Sequence, residues 1–290
     1  MDNRFLLKNI YRKAISSFRS PKTFIFYLNE YVFSQEDKNC QTYIISYPKC
    51  GRTWLRLMLD KAILLSQGIK DFDRKKLNSL KDRPRIKFDH GCSNWVPAPF
   101  SFKEVEFLKR KYQGKKAVLL FRDIRDVLVS SYMHLKYRER LVDYDISHFI
   151  RNQYLGALKV ITCMNLWFRN RDVFSDCLIM TYEGLHDDVE KHLRILLDFI
   201  GLAALRQEEI IETIKFGNFK NMQDMETRNA HSIPWLRASD AADERTFKTR
   251  KGQVGGYKSE LSSDDILFIN KIVEENIDPE LKEIIYYEQR

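Results

Sequence analysis

Covalent staples and metal frameworks are what this 290-residue sequence lacks. Its five cysteines, Cys40, Cys50, Cys92, Cys163 and Cys177, are odd in number and far apart. None forms a C-x-x-C pair or joins a histidine at zinc-ligand spacing. That argues against a disulfide scaffold or structural metal and makes a reducing cytoplasmic setting the simplest one. No apolar run reaches the ~18 residues of a membrane-spanning helix, and the start of the chain lacks the layout of a secretory signal. No acidic cluster calls for magnesium. There is no internal repeat, no low-complexity tract and no Walker loop of the G-x-x-x-x-G-K-[ST] type.

What is present is apolar and basic. Hydrophobic residues make up 44% of the chain, enough for a sizeable core in one large domain or two small ones. The formal charge is +9. That balance suits an anionic cofactor, an anionic acceptor, nucleic acid or an acidic membrane equally, so it selects none of them.

The informative stretch is Thr42 to Leu65. Thr42 to Tyr47 is β-branched and aromatic, as a short buried strand would be. Pro48 stops it, and Gly51 permits a tight backbone path. From Thr53 on, Trp54, Met58, Ala62 and Leu65 recur at helical spacing. A strand, a short loop carrying Lys49 and a helix N-terminus together form an anion site, because unpaired N–H groups and the positive end of the dipole face the guest. Here Lys49 precedes the single glycine, unlike in a Walker loop.

Tyr-Pro-Lys-Cys-Gly-Arg-Thr-Trp resembles the 5′-phosphosulfate loop of the sulfotransferase family, usually written YPKSGTTW. Four further segments fall in the family's order. Val118 to His134 resembles its 3′-phosphate motif, an Arg followed eight positions later by a Ser, satisfied by Arg122 and Ser130. Tyr182-Glu183-Gly184-Leu185 resembles its Tyr-Glu-Asp-Leu turn. Phe216 to Met222 resembles its Ser-Phe-x-x-Met segment, with Phe219 as the match. Arg250 to Lys258 resembles its RKGxxGDWK motif. The short strand Arg85 to Phe88 leads to His90, which fits the position of the family's catalytic base.

The resemblance implies an α/β fold with a doubly wound, mostly parallel sheet flanked by helices, like the nucleotide kinases. It implies 3′-phosphoadenosine 5′-phosphosulfate (PAPS) as co-substrate, no metal, and a hydroxyl-bearing acceptor (carbohydrate, lipid-linked sugar, alcohol or phenol); separately, no nucleic-acid partner is expected, since no recognition motif is present. Lys49 would stabilise the leaving phosphate and His90 would take the acceptor's proton. Cys50, Gly51, Arg52 and Thr53 would surround the 5′-phosphate. Trp54, Tyr182 and Phe219 would lie by the nucleoside. Arg122, Ser130, Arg250, Lys251 and Gly252 would recognise the 3′-phosphate. Cys50 and Arg52 depart from the family's Ser and Thr. At a helix N-terminus the Cys50 thiol should be acidified and open to alkylation. Arg52 either strengthens phosphate binding or faces solvent.

Elsewhere the expectations are structural. Residues 1–38 form a helical and aromatic extension to a single sulfotransferase domain over 39–290. The extension's basic amphipathic helix can make peripheral membrane contact, though packing on the domain is the plainer reading. Asp71 to Arg83 should be a loop with helical pieces. Ser101 to Glu104 is a capping box, and Gly114 is a helix stop. Asp145 to about Asn170 reads as one long helix. Arg125 and Asp126 read as exposed or locally paired charges, and His134 and His148 as bystanders. Asn229 to Thr249 reads as a lid or loop. The acceptor pocket would draw on residues 71–83, 92–100 and the lid near Trp235. An ATP-dependent P-loop kinase and a basic nucleic-acid-binding protein are the rival readings. The placement of Lys49 and the Arg-Lys-Gly run oppose the first, and no recognition motif supports the second.

Overall fold

The computed structural model describes residues 39–91, 111–228, 233 and 235–286. The chain divides after Cys40 into two units, and the second, Gln41–Arg290, carries everything below. The expected extension over residues 1–38, the capping box at Ser101, the pocket loop 92–100 and residues 229–232 and 234 of the expected lid lie outside the described residues.

Among the described residues four parallel strands form the sheet: β1 (Thr42–Ile45), β2 (Ile86–Asp89), β3 (Lys116–Phe121) and β4 (Asp176–Thr181), in the order β2-β1-β3-β4. Thr42 pairs with Ile86 on one side and Lys116 on the other, and Phe121 pairs with Thr181. Past their first residues, Thr42 and Lys116, the inner strands are apolar or aromatic, because helices cover both faces of a parallel sheet. Tyr43, Ile44, Ile45 and Ala117 to Phe121 are all buried. From β1 the chain moves outward to β2, then returns to the other side for β3. Beyond the carboxyl end of β1 there is therefore a topological switch point, where open α/β sheets hold ligands.

Each strand feeds a helix or loop at that same edge. After β1 comes α1 (Arg52–Ser66), whose buried residues include Leu55, Met58, Leu59 and Ala62. A short α2 (Arg74–Ser79) follows, capped by the Asp73 carboxylate, which takes the N–H groups of Lys75 and Lys76. After β3, Asp123 caps α3 (Ile124–Met133), and a π-helical turn, His134–Arg138, continues it.

The stretch expected as one long helix is two, α4 (Ile146–Arg151) and α5 (Ala157–Arg169). The break has a local cause. The Asn152 side chain accepts from the N–H of Tyr154 and of Leu155, turning the chain. At Gly156 a Cβ would lie 2.3 Å from the Ile150 carbonyl oxygen, so only glycine passes. After β4 come α6 (Tyr182–Asp187), α7 (Val189–Phe199), α8 (Gln207–Phe216) and α9 (Phe219–Thr227). The chain closes with α10 (Ser263–Asn276) and α11 (Pro279–Tyr286). Helix α8 packs on α1, and α10 on α5. Among the described residues no helix is long and apolar enough to cross a membrane.

Candidate active site

At the carboxyl edge of the sheet lies a cavity of about 430 Å³. The loop after β1 forms its floor. Lys49 sits at φ 76 and Gly51 at φ 92, a left-handed path that turns the chain from strand into helix. A Cβ on Gly51 would come within 2.5 Å of the Tyr182 ring, so the glycine is also needed for packing. Gly51 caps α1 without a side chain, which leaves the first-turn N–H groups of the helix directed at the cavity. Lys49, Arg52, Thr53 and Trp54 all line it.

Cys50 does not. Its side chain is fully buried and forms no part of the cavity wall. Burial pushes the thiol up to about 12, although Arg122 pulls the other way. The expected acidic, alkylation-sensitive thiol is therefore corrected: desolvation outweighs the helix terminus.

The loop after β3 contributes Arg122. Its guanidinium donates to the carbonyls of Lys49 at 3.2 Å and Gln253 at 3.0 Å, and lies over the Tyr182 ring at 4.0 Å. Ser130, two turns into α3, also lines the cavity. Tyr182 follows β4 and meets Trp54 edge-on at 5.7 Å. Phe219 opens α9, and a Cβ on Gly252 would lie 2.2 Å from its ring. The Arg250–Gly252 run thus passes directly beneath that aromatic. Arg250, Lys251 and Gly252 complete this end of the wall.

Of the two charges that open α3, Arg125 is as expected and Asp126 needs correction. Arg125 is locally paired, gripping Asp123 at 2.5 Å. Asp126 is buried and does much more. Its carboxylate accepts from the backbone N–H of Gly255 at 2.8 Å and of Tyr257 at 2.9 Å, and faces Arg122 at 3.4 Å. It fastens the loop after Gly252 to α3. Glu226 does the same for the segment before Arg250, accepting from the N–H groups of Lys248 at 2.7 Å and Thr249 at 2.9 Å.

His90 stands beyond β2 and lines the opposite side. Its Nδ1 lies 3.3 Å from the Ser46 carbonyl oxygen, and Arg52 Nη2 reaches its Nε2. A carbonyl can only accept, so Nδ1 carries the proton and Nε2 keeps its lone pair. Burial, and then the Arg52 charge, push the imidazole down to about 3. It is neutral at any physiological pH. Lys49 is lowered to about 7, by burial first and then by Lys248 and Arg138. His134 also lines the cavity, where burial and the neighbouring Lys49 push it down to about 2. Lys248, which sequence reasoning did not single out, lines this side too.

Among the described residues, six cations (Lys49, Arg52, Arg122, Lys248, Arg250, Lys251) and a single carboxylate, Asp126, line the cavity. Two of its arginines keep a buried nitrogen without a hydrogen-bond partner, Nε of Arg122 and Nη1 of Arg52. No group of acidic, cysteine or histidine side chains among the described residues is arranged to hold a metal. The site is built for a large anion.

The profile of the Sulfotransferase domain family matches residues 40–279. The chain belongs to the PAPS-dependent sulfotransferase family. Among curated relatives of this sulfotransferase, 3-beta-hydroxysteroid sulfotransferase of Cavia porcellus is 27% identical, over 83% of this chain and 84% of that protein. Cytosolic sulfotransferase 12 of Arabidopsis thaliana is 23% identical, over 83% and 78%. Among solved structures, a mouse sulfotransferase complexed with PAP aligns with a TM-score of 0.57 at 17% identity, covering 86% of this chain and 90% of that one. A retinol dehydratase in complex with retinol and PAP aligns with a TM-score of 0.56 at 16% identity, over 86% of each. These likenesses establish the α/β sulfotransferase fold.

Proposed function

We propose that the cavity binds PAPS and that the chain moves its sulfuryl group to an acceptor hydroxyl, with His90 as base and Lys49 on the leaving phosphate. The observation that carries this reading is the convergence of Lys49, Arg122, Arg250 and His90, from four separate segments, on one cavity. The unpartnered arginine nitrogens fit a doubly phosphorylated guest, which would complete their hydrogen bonding. Arg122, Ser130, Arg250, Lys251 and Gly252 would hold the 3′-phosphate. Gly51, Arg52 and Thr53 would hold the 5′-phosphate through first-turn N–H groups and side chains, with Cys50 confined to its backbone. Trp54, Tyr182 and Phe219 would enclose the nucleoside.

PAPS supplies an activated sulfuryl group on a phosphate leaving group. Everything else falls to the protein. Negative charge builds on the departing oxygen, as in loose phosphoryl transfer, and Lys49 counters it. An anion beside Lys49 favours its protonated form, so its charge rises as the guest binds. Neutral His90, its Nδ1–H held by Ser46, would take the proton on Nε2 once the acceptor hydroxyl displaces Arg52 Nη2 from that lone pair. With PAPS as donor and small hydroxyl compounds as acceptors, His90→Ala should lower kcat by about 10²–10⁴-fold. The same variant should bind PAP, measured by calorimetry, as the parent does. Retained turnover would remove His90 from the mechanism; failure of the parent to bind PAP more tightly than ATP would remove PAPS from the site.

A further inference from the structure

We infer that the acceptor carries an anionic group, a carboxylate, sulfate or phosphate ester, close to the hydroxyl that is sulfated, and that Lys248 and Arg52 recognise it. This rests on the donor reading above and goes beyond it. The two ends of the cavity are charged differently. Where Arg122, Arg250 and Lys251 lie, the protein supplies counter-anions: Asp126 meets Arg122, and Glu260 meets Arg250 at 2.7 Å and Lys251 at 2.5 Å. Where His90 lies, Lys49, Arg52 and Lys248 line the wall with no carboxylate among the described lining residues. The acids behind that wall are already matched, Glu226 with Arg138 and Asp89 with Lys111. Three cations therefore face a dianionic phosphosulfate, and one positive charge is left over.

The surplus sits beside the base. Arg52 turns its guanidinium onto His90 Nε2, and its buried Nη1 has no hydrogen-bond partner. An unsatisfied buried guanidinium nitrogen is costly and points to a guest that satisfies it. Lys248 is fixed from two directions: its N–H is held by Glu226, and its ammonium donates to the Trp235 carbonyl at 2.5 Å. That leaves two ammonium hydrogens for another partner. Its charge acts on both Lys49 and His90. A hydroxyl brought to His90 thus arrives beside Lys248, the cation that the donor's phosphates do not need, and within reach of Arg52, whose unpartnered Nη1 can share the guanidinium between the 5′-phosphate and a second anion.

The test uses acceptor pairs matched except for charge: methyl glucuronide against methyl glucoside, 4-hydroxyphenylacetate against its methyl ester, and a sugar monophosphate against the free sugar. PAP binding is measured first, so that a failure of the donor reading shows separately. The full chain with PAPS should give the anionic member a kcat/KM at least tenfold higher in one or more pairs. Lys248→Met should cut that ratio tenfold or more, and Lys248→Arg should restore most of it, while PAP still stabilises both variants. The inference falls if no anionic member is preferred, including the case where none is turned over. It falls equally if Lys248→Met raises the KM for PAPS and leaves the anionic-to-neutral ratio unchanged.

Discussion

The two ends of the cavity carry similar numbers of cations and manage them in opposite ways. At the Arg250 end each cation has an anionic partner within the protein, and those partners are also the ties that hold the loop. Asp126 binds the backbone of Gly255 and Tyr257 as well as Arg122. At the His90 end the cations repel each other in a desolvated space. Lys49 falls to about 7 and Lys248 to about 8, both from burial first and neighbouring cations next. One end is preorganised by its counter-ions; the other stores electrostatic tension that a bound anion relieves. In the proposed function, recognition and chemistry would ask for different things: a fixed grip in one place, and in the other groups whose charge responds to the guest.

The strongest way to break this contrast is at Asp126. Asp126→Asn removes a buried charge that three donors converge on, two backbone N–H groups and a guanidinium. Losing one partner of a buried charge pair costs about 3–5 kcal/mol. We expect a lower Tm and a PAP affinity reduced by two orders of magnitude or more, with Arg122 left on the Lys49 and Gln253 carbonyls and without its counter-ion. Calorimetric titration with PAP and a thermal scan measure both. A drop in Tm without weaker PAP binding would mean that the loop tie serves stability and not recognition.

Protons sharpen the comparison from the other end. The folded pKa of Lys49, about 7, lies below its ordinary 10.5. Between those values the unfolded chain holds more protons than the folded one, so folding stability rises with pH across that window. His90, at about 3 against 6.5, has the same sign between pH 3 and 6.5. An anion in the cavity reprotonates Lys49. Above pH 7 binding therefore takes up a proton, and PAP affinity should fall by up to about tenfold per pH unit for each proton taken up. Titrations at pH 8 in buffers of different ionisation enthalpy should report that uptake. Lys49→Met should remove most of it. Uptake that survives in Lys49→Met would assign the coupling to Lys248 or to the nucleotide.

The sequence exposed the parts of this design that are local. The strand, loop and helix around Lys49 are contiguous, as are Arg122 with Ser130 and the Arg-Lys-Gly run, so their spacing could be read directly. Partners distant in the chain leave no such mark. Asp126 meets Gly255 from 129 positions away, and Glu226 meets Thr249 from 23 away. His134 did leave a signal: it stands four residues after Ser130, on the same face of a continuing helix. The α4–α5 break was also written locally, in Asn152 and Gly156, but the apolar periodicity ran through it. The Cys50 expectation failed for another reason. A helix terminus acidifies a thiol only when the thiol is solvated or paired, and depth in the core cannot be read from the neighbours along the chain.

The smallest expected effect lies at Glu260, and it tests whether the counter-anions of the grip compete with the guest. Glu260 accepts from Arg250 and Lys251 in a partly exposed pair, so its charge is worth about 1 kcal/mol or less. In the proposed binding mode a 3′-phosphate would use the same two cations. Glu260→Gln keeps the size and one acceptor oxygen while removing the competing charge. PAP should then bind up to about fivefold more tightly at low salt, with the gain fading as salt screens the pair. AMP, which has no 3′-phosphate, should show no change. Weaker PAP binding in Glu260→Gln would reverse the reading: the carboxylate would then be holding both side chains in position for the phosphate, and the grip would depend on its counter-ions at Glu260 as it does at Asp126.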